Sequence, residues 1–403
     1  MMNKRSSKAA NKPEHSRRNW AFALAGAVVV AGGALAADAP LTQPSAPANA
    51  PFRMEVVADL EAPWAMTFLP DGRMLITEKA GQLLLLSADG KQRKTVTGTP
   101  PVMSEGQGGL MDVVLHPRFA QNRMVYFSYS EAAGQDMGVV LARGVFTDGD
   151  APSLKNVETL FRGPKYDTTT GHFSGRIAFS GDGKLFFTSG DRQQWDRFQR
   201  TSPQDIKILS GKVLRLNDDG TPAAGNPLVE RGGDPAIWSY GHRNLLGLAF
   251  DANGNLWEQE MGPRGGDELN LILPGRNYGW PLASNGDNYE RPPTNGAAIP
   301  DHRPGDGFEA PKVWWNPSIS PGGLMVYSGK LWPQWRGDIF IGGLSSQSLL
   351  RIDVSGTNAA KGDQFAMGTR IREIEEGPDG AIWLLTDGQR GADGKLVKLT
   401  PGS

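Results

Sequence analysis

Two groupings of side chains in this chain are of types that do chemistry. The first rests on one of only five histidines: His172 stands in DTTTGHFSGRIAF, just before an apolar strand-like run and four residues ahead of Arg176. An imidazole at such a strand start, on the rim of a channel that the strand would line, needs no large pKa shift to act as a general base near neutral pH. A hydrogen-bonded structural histidine is the other reading of the same position. The second grouping fills residues 239–281, where His242, Arg243 and Asn244 precede an apolar run that breaks at Asn253-Gly254 and resumes with Leu256, Trp257 and Glu258. The returning strand runs into Gly262-Pro263, whose carbonyls are left without ladder partners, and then into Asp267-Glu268. Oxygen ligands for a hard cation such as calcium therefore gather within a few residues. The remaining histidines read differently: His116 precedes Pro117 in an apolar turn and suits packing, His302 lies in a Pro-rich loop without functional signal, and His15 lies in a basic N-terminal segment.

Several chemistries lose support. The chain has no cysteine, which excludes disulfides, thiolate metal sites and a cysteine nucleophile. It contains no HExxH, no GxSxG on a strand-to-helix turn, no GxGxxG and no P-loop. With 42 basic and 43 acidic side chains in 403 residues, nothing in the charge balance points to nucleic acid or an anionic membrane, so the expected partner is small or uncharged.

The elements that must position these groups are hairpins. A short apolar strand, a turn built on Gly, Asp or Asn, and a second apolar strand recur at 66–78, 113–129, 177–191, 248–260, 325–343 and 374–388. These are six copies, at spacings of roughly 50 to 75 residues. The 52 glycines, about twice the usual share, sit in turn-like clusters and fit many short strands. One hairpin cannot bury its own faces, so the copies must stack or ring up around a shared core. A solenoid suits such long, variable repeats poorly, and about 350 residues exceed one β-sandwich. The expected fold is all-β, a six-bladed β-propeller of four-stranded antiparallel sheets over residues 52–403. Segments 54–57 and 395–399 would share the last blade and close the ring. The longer insertions, at 148–171, 191–211 and 281–314, would build loops over one face.

The N-terminus reads as an address. Lys4, Arg5, Lys8, Lys12, Arg17 and Arg18 precede an apolar stretch at 20–37 that ends in Ala34-Leu35-Ala36, the pattern of an export signal over residues 1–36. Ser16-Arg17-Arg18 is similar to a twin-arginine signal, and an uncleaved anchor is the alternative. Residues 37–51, rich in Ala and Pro, read as a linker. The expected location is periplasmic or secreted, with no membrane span in the mature chain.

The motifs APWAMTFLPDGRMLITEKAG, GQGGLMDVVLHPRF, HFSGRIAFSGDGKLFFTSGDR, GKVLRLNDDGTPAAGNP, YGHRN, GPRGGDELNLILPGRNYGWP, PSISPGGLMVYSG and RIREIEEGPDGAIWLLTD occur in this order. Together they resemble the soluble pyrroloquinoline quinone (PQQ)-dependent aldose dehydrogenases of the glucose/sorbosone dehydrogenase type. The resemblance implies PQQ over the propeller channel, oxidation of an aldose at its anomeric carbon to the lactone, and an electron acceptor that the sequence does not name. His172 resembles the base that takes the anomeric hydroxyl proton, and Arg243 the residue that stabilises charge developing on the quinone oxygen. Gln107 and Asn244 fall where the family contacts PQQ, and Arg370 and Arg372 where it pairs with PQQ carboxylates. The Gly262 and Pro263 carbonyls resemble ligands of the calcium that chelates PQQ; Glu268 and the Tyr278 carbonyl resemble a second, structural calcium site, with Asp267 a weaker candidate. Read without the resemblance, Arg370 and Arg372 alternate along a strand and suit solvent-facing charges. Two positions depart from the pattern: Ser345 stands where a lysine is usual, and Gly171 where an acidic residue can precede the histidine. A calcium-dependent lactonase and a non-catalytic glycan-binding propeller remain as rivals.

Overall fold

A computed structural model describes residues 46–166, 169–193, 202–287, 299–388 and 393–402. The export-type segment and most of the linker lie outside the described residues. Among these residues, no helix is long and apolar enough to cross a membrane.

Each recurring hairpin becomes the inner half of a four-stranded blade. The inner strands, blades I to VI in order, are Pro63–Phe68, Leu110–Leu115, Ser174–Phe179, Asn244–Phe250, Pro321–Val326 and Arg370–Glu376. Every blade is antiparallel, blades I to V as meanders of consecutive strands, and neighbouring inner strands touch around the whole ring, making a six-bladed propeller. Second strands such as Met74–Glu78, Leu185–Ser189, Ile339–Gly343 and Ile382–Asp387 are buried at every position. Strands packed between adjacent blades have no wet face, so each opens on an apolar run rather than an alternation, with polar residues or glycines only at its far end (Thr77-Glu78, Thr188-Ser189, Gly342-Gly343, Thr386-Asp387). Four hairpins turn by one device: Gly72, Gly183, Gly254 and Gly380 sit at φ between 80° and 87°, and each N–H donates to the carbonyl three residues back at 2.8–3.0 Å. Glycine takes that backbone region without steric penalty, which explains the repeated Asp-Gly and Asn-Gly of the sequence.

The ring closes in blade VI. The first strand of the fold, Phe52–Leu60, pairs antiparallel with the last, Gly394–Pro401, with Met54 opposite Leu399. This is the pairing expected for 54–57 and 395–399. It ties the two ends of the described chain into one sheet.

Register shifts, by contrast, had no sequence signal. All six pairings of inner with second strands slip near the start of the inner strand, for example between Ser174 and Ile177, Leu245 and Gly247, and Ile371 and Glu373. A bulge bends the strand and re-aims its side chains, here around one mouth of the channel. Below that mouth Arg176 crosses the ring: Nη2 donates to Glu373 at 2.5 Å, Nε to the Leu246 carbonyl at 2.6 Å, and the guanidinium lies 4.3 Å from the Trp64 ring centre. Arg176 thus belongs to the channel interior, not to the surroundings of the His172 ring.

Candidate active site

The residues of the site stand at the open ends of the inner hairpins. In blade III Ser174 pairs with Ser189; carrying that register two places outward sets His172 opposite Asp191. Blade IV pairs Asn244 with Met261, which sets Arg243 beside Gly262, and blade VI pairs Arg370 with Asp387. Blade I reaches the same place with Lys79, whose N–H donates to the Ala62 carbonyl at 3.0 Å. Blade V does so with Leu344 and Ser345, whose N–H groups reach Ser320 and Ile319.

His172 is buried, and its Nδ1 lies 2.7 Å from Asp191 Oδ1. The other carboxylate oxygen accepts from Trp280 Nε1 at 2.8 Å, and the Gln193 N–H donates to Oδ1 at 2.8 Å. Asp191 is therefore fixed before it meets the imidazole. Burial opposes its charge, but the His172 contact and neighbouring donors keep its pKa below the usual carboxylate value. Burial, aided by the Arg243 charge, lowers the His172 pKa, and Asp191 offsets this only in part. The ring is thus neutral at neutral pH, with Nδ1–H given to the carboxylate and Nε2 left as a base. His172 and Ser174 have φ of 51° and 60°, and Arg192 and Gln193 have 55° and 56°. Left-handed backbone costs about 1–2 kcal/mol per non-glycine residue, and its concentration on both sides of one acid–base pair is typical of a functional site. A Cβ at Gly171 would meet the Gln193 amide at 3.0 Å, so a side chain there would have to displace Gln193. The orienting carboxylate comes instead from the partner strand, and sequence reasoning missed it by looking only at the preceding residue.

Arg243 is buried beside the base, its guanidinium 5.1 Å from the Trp280 ring centre. Nη1 donates to the Met261 and Gly262 carbonyls at 2.8 and 2.7 Å. The Gly262 N–H is held by Asp267 Oδ1 at 2.9 Å, while Asp267 Oδ2 accepts from Ser318 Oγ, Ile319 N and Ser320 N at 2.6–2.8 Å. Asp267 is consequently a tether between two loops, its carboxylate already filled with donors. Gly262 lines a cavity of about 760 Å³ together with Gln107, His172, Arg243 and Ser345. Pro263 is buried instead, and its carbonyl packs against Gly286.

A second cavity of about 260 Å³ shares Gln107 and Met261 with the first and is also lined by Lys79, Asn244, Arg370, Arg372 and Asp387. Gln107 joins the two, because its Oε1 accepts the His172 N–H at 2.7 Å. Arg370 and Arg372 both line this cavity, with about a third of the Arg370 side chain still exposed (34%), so neither is simply a solvent-facing charge of an alternating strand. Both donate to Asp387 Oδ2, at 3.2 and 2.5 Å. Paired guanidinium groups beside amide donors suit a planar polycarboxylate, which guanidinium recognises bidentately. Asn244 is held by Ser174 Oγ at 3.4 Å, and its Nδ2 points to Met261 sulfur at 3.9 Å.

Behind Arg243 and Gly262 lies a polar pocket of about 10 Å³ lined by Glu260, Glu268 and Tyr278, room for a single ion or water. The sheet register pairs Glu260 with Glu268 and Glu258 with Asn270, so three carboxylates crowd one strand pair. Burial, then the Glu260 charge, pushes Glu258 and Glu268 well above the usual carboxylate range. Glu258 Oε1, Asn270 Oδ1 and His242 Nδ1 are buried without hydrogen-bond partners. His242, Glu258 and Glu260 each offer a ligand atom within 4.8 Å of the others. The carboxylates and the Asn270 amide oxygen suit a hard, oxygen-seeking cation, to which His242 adds a nitrogen donor. His302, which carried no signal in the sequence, is also here, its Nε2 3.8 Å from Glu268.

The sequence profile of the Glucose / Sorbosone dehydrogenase family matches residues 60–398, and the chain belongs to that family of sugar-oxidising oxidoreductases. The aldose sugar dehydrogenase YliI of Escherichia coli K12 is 39% identical over 365 residues, 88% of this chain and 94% of that protein. The apo-form crystal structure of the soluble aldose sugar dehydrogenase Asd from Escherichia coli matches with a TM-score of 0.79 at 39% identity, over 87% of this chain and 100% of that one. The PQQ-bound form of the aldose sugar dehydrogenase from Streptomyces coelicolor matches with a TM-score of 0.68 at 30% identity, over 88% of this chain and 100% of that one.

Proposed function

We propose that this protein is an exported, PQQ-dependent aldose dehydrogenase that converts the anomeric CH–OH of an aldose into a lactone. The observation that carries this reading is the oriented His172–Asp191 pair, sharing one cavity with Arg243 and joined through Gln107 to the cationic Arg370–Arg372 pocket. Oxidation of a hemiacetal removes a proton from the anomeric hydroxyl oxygen and a hydride from the carbon that bears it. His172 Nε2 takes the proton, and Asp191 stabilises the imidazolium that forms. Arg243, fixed by two carbonyls, offers a preorganised positive charge to oxygen that becomes negative beside it. Arg370, Arg372, Gln107 and Asn244 would hold PQQ, which when bound supplies the quinone that accepts the hydride. The Gly262 carbonyl, which faces the His172 cavity, would ligate a calcium that supplies Lewis acidity, while the Pro263 carbonyl is turned against Gly286; Glu268 with the Tyr278 carbonyl would hold a structural one. A separate acceptor must then reoxidise the cofactor.

Incubating protein, calcium, PQQ and an artificial acceptor with an aldose should yield the aldonolactone. Consumption of lactone without acceptor reduction would favour the lactonase reading instead. The calcium assignment predicts that chelation lowers the melting temperature, since an ion at a hundred times its Kd stabilises the native state by about 2.7 kcal/mol. Unchanged melting would remove both calcium sites. Export rests on the basic and apolar pattern of residues 1–36; the intact mass of exported protein should show a chain beginning near Ala37.

A further inference from the structure

The cofactor cavity carries more positive charge than its assigned residues account for. Lys79 lies one residue beyond the second strand of blade I, Met74–Glu78, opposite Ala62, at the open hairpin end that Met261 opposite Asn244 occupies in blade IV and one residue before the place of Asp191 in blade III. It lines the same cavity as Arg370, Arg372 and Asp387. Its ammonium makes one hydrogen bond, to the Gly106 carbonyl at 2.6 Å, and among the described residues no carboxylate lies within ion-pair distance. The nearest acid in sequence, Glu78, is engaged by the Glu61 N–H at 2.7 Å. Among the described residues Asp387 is the sole carboxylate lining this cavity, and both arginines already use it. Burial, then repulsion from Arg372, lowers the Lys79 pKa, so the two cations oppose each other. Like charges held together in a concave site, with one acid among three cations, are neutralised by an anion that enters it.

We propose that Lys79 is a third cation of this cavity, binding a carboxylate of the planar polycarboxylate cofactor from blade I while Arg370 and Arg372 bind from blade VI. The assignment rests on the PQQ reading above and deepens it. Ser345, on the other flank in blade V, lines the neighbouring cavity and spends its hydroxyl on the Ser318 carbonyl at 3.1 Å. Blade V therefore brings no cation there, and blade I does.

The test is equilibrium binding rather than turnover. Apoprotein in excess calcium is titrated with PQQ, following quenching of tryptophan fluorescence, for the parent, Lys79→Met and Lys79→Arg at low and high salt. Loss of one charge-assisted hydrogen bond should weaken binding of the Lys79→Met variant by roughly 10- to 150-fold, while Lys79→Arg stays within about threefold of the parent because its charge remains. The gap between Lys79→Met and the parent should narrow as salt rises, because the lost interaction is partly exposed and screened. Loosening of the Gly106–Gln107 loop would give a gap that salt does not change, and that result overturns the proposal. A parent that binds PQQ and a Lys79→Met variant that binds as tightly overturn the Lys79 assignment alone. A parent that binds no PQQ removes the cofactor reading, and this proposal with it.

Discussion

A neutral imidazole with Nδ1–H on a buried carboxylate has one lone pair left, and in this site that lone pair belongs to His172 Nε2. His172→Ala should lower aldose turnover by roughly 10² to 10⁴-fold, the usual worth of a positioned base, while leaving PQQ binding in place. Asp191→Asn separates orientation from simple packing. The His172 pKa already lies below its ordinary value of 6.5, and Asp191 is what holds it up. Removing that charge should depress it further, so the acid limb of the pH–rate profile moves to lower pH while the maximal rate falls. An unmoved acid limb would mean that Asp191 does not act through His172. The histidine was legible because its motif marks it, and Arg243 for the same reason. Asp191 was not, since its role appears only when the hairpin register brings residue 191 across to residue 172.

The blade hairpin is the element that makes residue pairs of this kind. Its turn is readable, because Asp-Gly and Asn-Gly demand one backbone geometry, and Gly254 tests that argument cleanly. Its φ is 83°, and a Cβ added there meets nothing within 4 Å. Gly254→Ala should therefore cost about 1–2 kcal/mol, from backbone strain alone, with activity at the parent level; denaturant unfolding measures it. A neutral effect would mean that the turn relaxes to another form. The other end of the hairpin was not readable. Bulges at the start of every inner strand follow from the crowded packing of six sheets around one axis, and no local residue pattern announces them. They decide that Arg370 and Arg372 face a cavity, which strand alternation alone could not.

At the scale of the ring, six copies with strong turns were enough to give the propeller and its closing blade, whereas the channel interior was hidden. There Arg176 meets Glu373 at 2.5 Å and Asp112 at 3.4 Å. Several carboxylates around one guanidinium cannot all be ionised. Burial pushes Glu373 up to about 7, against an ordinary value of 4.5, although Arg176 opposes the shift. A carboxyl whose folded pKa is raised stabilises the fold fully below pH 4.5 and loses that contribution as pH rises through 7. Stability of the apoprotein should accordingly fall between those limits by up to about 3 kcal/mol from this group, and Glu373→Gln should flatten that part of the profile. An equally steep profile in the variant would assign the slope to other groups. The most direct test of the whole account is the visible absorption spectrum of the purified protein reconstituted with calcium and PQQ, recorded before and after addition of an aldose without an external acceptor. The account predicts a protein-bound quinone spectrum that converts to the reduced form on adding the sugar. Failure of PQQ to bind, or a bound quinone spectrum that no aldose changes, would contradict it.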